Sequence, residues 1–69
     1  MLTWATCDCW RVAIQEKGKK TKPTIEVGNK ADVVARCKML NRSIKGWSIK
    51  YIPVMSKYNE KSDYVLSAN

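Results

Sequence analysis

Val33, Cys37, Leu40 and Ile44 recur at spacings of four, three and four in an otherwise polar stretch, and this stripe constrains the fold more than any other feature of the chain. Such spacing puts the side chains on one face of an α-helix, with Val34 at the edge of the stripe. Asn29, with Asp32 three residues later, makes a capping pair for a helix that starts at Lys30, and it places a carboxylate in the first turn where the helix dipole favours it. Arg42 and Lys45 occupy the last turn, and Gly46 stands where a left-handed residue ends a helix. One helix with one apolar face cannot bury that face alone, so a second layer must cover it.

The flanking segments supply that layer. From Trp10 the chain alternates, with Trp10, Val12 and Ile14 on one side and Arg11, Ala13 and Gln15 on the other, which predicts strand one over residues 9–16. Leu2 to Cys7, with Trp4 and Thr6, either extend this strand or leave it at a bend near Asp8. Lys17 to Pro23 contains Gly18 and ends in proline, and so predicts a hairpin connection longer than the minimal two residues. Thr24 to Val27 alternates again as strand two, with Ile25 and Val27 inward and Thr24 and Glu26 outward. Trp47 to Ile52 predicts strand three, with Trp47, Ile49 and Tyr51 on one side, and Pro53 limits how far that strand can be central. Residues 55–69 are polar apart from Tyr58 and Tyr64-Val65-Leu66, and form either a short packed extension or a frayed tail.

The expected fold is therefore α+β, in the order β-β-α-β. A three-stranded, mainly antiparallel sheet of order 2-1-3 carries the helix on one face and leaves the other open. The alternative sets strand three parallel to strand two through a right-handed crossover. At 69 residues there is room for a single core, so residues 1–69 form one domain.

Several function classes lose support on residue type alone. No histidine is present, which removes the usual general base at neutral pH and the commonest zinc ligand. Cys7 and Cys9 flank Asp8, whose charge raises a thiol pKa and so disfavours a nucleophilic thiolate. An odd cysteine count argues for reduced thiols, and Cys7, Cys9 and Cys37 lack both the usual zinc spacing and a fourth ligand. Neither catalysis nor a metal or other cofactor is expected. The longest apolar runs are two to four residues, far below a bilayer span, and no basic leader precedes an apolar stretch at the N-terminus; a soluble, cytoplasmic chain without membrane contact is expected.

Thirteen Lys and Arg against six Asp and Glu give a net charge of +7, which favours an acidic partner. Two clusters carry this excess. Lys17, Lys19, Lys20 and Lys22 lie in the hairpin connection with no acidic residue inside the turn, a finger able to follow a phosphate backbone, although solvated turns are often lysine-rich for solubility alone. Lys38, Arg42 and Lys45 fall at i, i+4 and i+7 on the helix as a basic ridge, and between Val33 and Asn59 there are six basic residues and no acidic one. Arg11 and Lys50 are expected on the open face of the sheet near Gln15 and Glu26. The tryptophans Trp4, Trp10 and Trp47 read as core residues at strand spacing, and would stack on bases if exposed.

Trp10-Arg11-Val12-Ala13-Ile14, the basic turn, and Asn29-Lys30-Ala31-Asp32 opening a helix together resemble the arm-type DNA-binding domain of tyrosine recombinases over residues 9–42. The resemblance implies a sheet that enters the major groove. That family has three strands before its helix, whereas here the third follows it, and no functional residue carries over. The overall pattern is also similar to small accessory proteins of phages and mobile elements, and strand-helix-strand ending at Ile52-Pro53-Val54 resembles one unit of the paired peptidoglycan-binding repeats. The leading expectation is a non-enzymatic module that binds DNA or RNA through its basic residues. The competing one is an interaction module, of the phage inhibitor or adaptor type, for an acidic protein. A homodimer paired through edge strands is the third.

Overall fold

A computed structural model describes residues 8–59 and 61–66. Trp4, Cys7 and the proposed extension from Leu2 lie outside the described residues. Four strands and one helix follow in the order β1 (Asp8–Glu16), β2 (Lys22–Gly28), α1 (Lys30–Ser43), β3 (Ile49–Lys57) and β4 (Tyr64–Val65). The sheet runs β3-β1-β2-β4, with β1 antiparallel to both neighbours and β4 parallel to β2. This corrects the expected three-stranded 2-1-3 antiparallel sheet: the sheet is four-stranded and mixed. The added strand is two residues long, too short for its alternation to be seen in the sequence, and it is held by Leu66 N–H donating to Val27 O at 2.6 Å beside the paired residues.

α1 begins where the capping pair predicts, with Asn29 Oδ1 accepting the Asp32 N–H at 2.8 Å. Its stripe covers one face of the sheet, where Val12, Val33 and Cys37 are buried and Trp10, Leu40, Tyr51 and Leu66 pack against them. Gly28 pairs with Trp10 on this same face; a Cβ there would stand 3.3 Å from Leu66 Cβ and 3.5 Å from Val33 Cγ2, so the missing side chain lets helix and C-terminal segment close over β2.

The opposite face, expected open, is exposed at Gln15 and Lys50 but closed toward the start of β1. Cys9, Arg11, Ala13 and Val27 are all buried there, Val27 directly across from Arg11. The expected inward and outward sets of β2 are consequently exchanged: Glu26 pairs with Arg36 of the helix at 2.7 Å, Val27 is buried on the far face, and Ile25 is exposed. Alternation separates two faces without saying which one the helix covers, and here the far face is closed as well around Arg11 and Asp63, while Gln15 and Lys50 on it stay exposed.

Arg11 is the centre of the far face. Its guanidinium donates to both carboxylate oxygens of Asp63, to Thr24 O and to Lys57 O, each at 2.7 Å. Thr24 lies where the β1–β2 register slips, between Arg11↔Val27 and Ala13↔Pro23. Its hydroxyl donates to Val12 O at 2.8 Å and accepts from Glu26 N–H at 3.2 Å, so side chains replace the ladder bonds lost at the slip. Asp63 in turn closes the connection into β4, accepting the Asn59 N–H at 2.7 Å.

β3 extends through Pro53 to Lys57, beyond the Ile52 limit predicted from sequence. The reason is strand parity. Asn41 of the helix bonds both backbone groups of Tyr51, accepting its N–H at 2.8 Å and donating to its C=O at 2.9 Å, so these groups point away from β1. Pro53, two residues on, has the same parity: its absent N–H faces the outer edge and costs no ladder bond.

Candidate nucleic-acid interface

The hairpin that carries Lys17, Lys19 and Lys20 turns on Gly18, whose φ of +79° lies in the left-handed region, and closes with Lys19 N–H donating to Glu16 O at 3.0 Å. Lys22 opens β2 opposite Ile14, and Ile14 lies opposite Tyr51 on its other side. Because Asn41 grips Tyr51, the C-terminal end of the helix reaches the same end of the sheet as the hairpin. A further tie runs between the two connections, from Lys17 N–H to Ser48 O at 3.5 Å.

The helix ridge lies along one flank. Asn41 faces β3 and Arg36 faces Glu26 on β2, which fixes the rotation of the helix. At about 100° per residue, Lys38 and Arg42 stand roughly 60° and 100° beyond Asn41, and so roughly 130° and 170° from the middle of the buried stripe: Lys38 leans to the β3 side and Arg42 points away from the sheet. Both are exposed. Lys45 follows in the turn, next to Gly46 at φ +92°, and the exposed Lys50 lies opposite Gln15 on the sheet face away from the helix. Lys22 and Lys50 lie on the two strands that flank β1, but opposite Ile14 and Gln15 respectively, so their side chains leave opposite faces of the sheet.

Lys17, Lys19, Lys20, Lys22, Arg42, Lys45 and Lys50 therefore belong to elements that meet at one end of the sheet, but not on one face: Lys50 lies on the face away from the helix and Arg42 on the helix, with Lys38 one helical turn behind. Glu16 is the carboxylate at this end, and it meets Lys19 at 3.6 Å with both side chains well exposed. The remaining described acidic residues are placed elsewhere: Asp8 at the other end of β1, opposite Lys57, Asp32 in the first helical turn, Glu26 against Arg36, and Asp63 against Arg11.

Arg11, expected among the phosphate contacts, does not belong to this end. It is buried, and its hydrogen bond with Asp63 raises its pKa and holds the Asp63 carboxyl below the usual carboxylate range. Glu26, expected to share the face of Lys50, lies on the helix side instead.

Trp47, expected in the core on strand three, is placed differently. It precedes β3 and is 67% exposed, in a short connection held by its own N–H donating to Ile44 O at 2.9 Å. A groove of about 350 Å³ runs beside it, lined by Asn41, Ile44, Lys45, Gly46, Trp47, Ser48, Ile49 and Lys50. The available signal was its position directly after a helix-ending glycine, where a residue leaves the helical stripe before the strand begins. Trp10 is half-buried, and Lys30 Nζ stands 5.3 Å from its ring centroid.

Cys37 packs in the helix-side core, where burial, then the Glu26 charge, pushes its thiol pKa up. Cys9 lies on the other side of the sheet. Among the described residues no helix is long and apolar enough to cross a membrane. Comparison with known protein families, curated proteins and solved structures gives no match.

Proposed function

We propose that this chain is a small, non-enzymatic, cytoplasmic nucleic-acid-binding protein of the accessory type, which holds phosphates between its lysine hairpin and the end of its helix. The observation that carries this reading is the double hydrogen bond from Asn41 to Tyr51, which brings Arg42 and Lys45 to the hairpin end of the sheet. The hairpin lysines stand beside them, and Lys38 on the helix and Lys50 on the far face of the sheet add to the positive charge a flexible phosphate chain would meet. A partner bound in this way releases counterions, so binding weakens steeply with salt.

Salt-titrated binding to labelled oligonucleotides tests the proposal. With about five phosphates engaged, log K is expected to fall with log salt at a slope of about −4.5 for a duplex and about −3.5 for a single strand. Replacing Lys19 and Lys20 with alanine should flatten that slope by about 1 for each lysine engaged, while Arg11 variants that still fold leave it unchanged. Undetectable affinity at low salt, or affinity indifferent to salt, refutes the proposal.

A second reading, an interaction module for an acidic protein, is supported by the far end of β3: it is an outer strand, Met55 on it is 61% exposed, and past the stretch closed by Asn41 and Pro53 a partner strand could add along residues 55–57. A protein partner that survives nuclease treatment in a pull-down would favour it. Pairing of two copies through the same edge is distinguished by light scattering.

A further inference from the structure

We propose that the groove beside Trp47 receives an unpaired nucleobase, which makes single-stranded nucleic acid the substrate class of the basic end. This rests on the nucleic-acid reading above and narrows it. The indole is the largest apolar side chain at that end and is 67% exposed. Its backbone is nonetheless fixed, by the bond to Ile44 O at 2.9 Å and by the left-handed Gly46 before it. With the backbone held, only the side-chain rotation of the indole has to be ordered when a base stacks on it.

The groove combines the two kinds of contact that single strands use. Ile44 and Ile49 line it with apolar surface, and Lys45 and Lys50 bring positive charge to the same groove. A base in a duplex has both faces covered by its neighbours, so it offers none to Trp47. In a single strand the base can swing out and stack while adjacent phosphates meet the lysines. Stacking of this kind tolerates any base and does not read the 2′-hydroxyl, so DNA and RNA strands are both acceptable in chemistry.

The test compares short oligothymidylate, oligouridylate and a duplex of the same length, by fluorescence anisotropy at matched salt, with wild type, Trp47→Ala and Trp47→Phe. Tighter binding of either single strand than of the duplex is expected. Trp47→Ala should weaken single-strand binding by about 5- to 150-fold with the salt slope unchanged, and Trp47→Phe should recover most of the loss. An unchanged melting temperature confirms that the exposed site has been altered without harm to the fold. Duplex binding equal to or tighter than single-strand binding, or single-strand affinity indifferent to Trp47→Ala, overturns this proposal and leaves salt-dependent binding at the basic end standing. Absence of salt-dependent binding to every strand overturns both.

Discussion

Replacing Asp63 with asparagine removes the counter-charge of Arg11 and keeps the shape of the side chain. In the intact protein the two side chains are only 9% and 4% exposed, and the guanidinium holds four hydrogen bonds that join β1, the register slip on β2, the end of β3 and the connection into β4. Breaking one side of such a pair leaves a buried charge uncompensated, at a cost of about 3–5 kcal/mol. A chain of this length has roughly 3–10 kcal/mol of total stability by the usual per-residue figure, so the loss is a large fraction of it. The melting temperature, followed by far-UV circular dichroism, is expected to fall by at least about 12 °C. The acid limb of the stability curve carries a second signature. Asp63 has a depressed pKa in the folded state, so its contribution is present above the unfolded carboxylate value and is lost as pH falls through the folded one. Asp63→Asn should therefore show a flatter loss of stability on acidification than wild type. The double variant Arg11→Met, Asp63→Leu should recover much of the single-variant loss, because an apolar pair leaves no stranded charge. A loss below about 1 kcal/mol in Asp63→Asn, with an unaltered acid limb, would show that the pair does not hold the far face together.

Two further outcomes follow from the packing. Asn41→Ala removes both bonds to Tyr51 and frees that part of the β3 edge, so it should cost about 1–3 kcal/mol and increase concentration-dependent association in light scattering; unchanged values in both measurements would contradict the edge role assigned to Asn41. Cys37, buried and with its thiol pKa raised, should resist alkylation at neutral pH until the chain unfolds, and mass spectrometry locates the modified cysteine; rapid native-state labelling of Cys37 would contradict its core placement.

Local features of the chain were legible because their causes are local. The stripe of Val33, Cys37 and Leu40, the Asn29 cap and the glycine turns at Gly18 and Gly46 each depend on residues within one or two turns of chain. The lysines of the hairpin were visible as candidates for the same reason. Trp47 was not, since whether an aromatic residue beside a helix-ending glycine packs inward or stays in solvent depends on the path into β3. The parallel pairing of Tyr64-Val65 with β2 was equally hidden, because a two-residue strand has no period to detect.

By itself, then, the sequence determined an α+β chain with one capped helix, a basic hairpin and a basic helical flank. The tertiary structure alone decided which of these belong together. Arg11 and Lys50 share an alternation and were expected on one open surface, yet Arg11 is withdrawn by a carboxylate 52 residues away, while Arg42 and Lys45 join the hairpin through Asn41. Periodicity reports the side of a strand or helix on which a residue stands. The partner waiting on that side is supplied by distant chain, and electrostatics and hydrogen bonding act on whatever folding brings near.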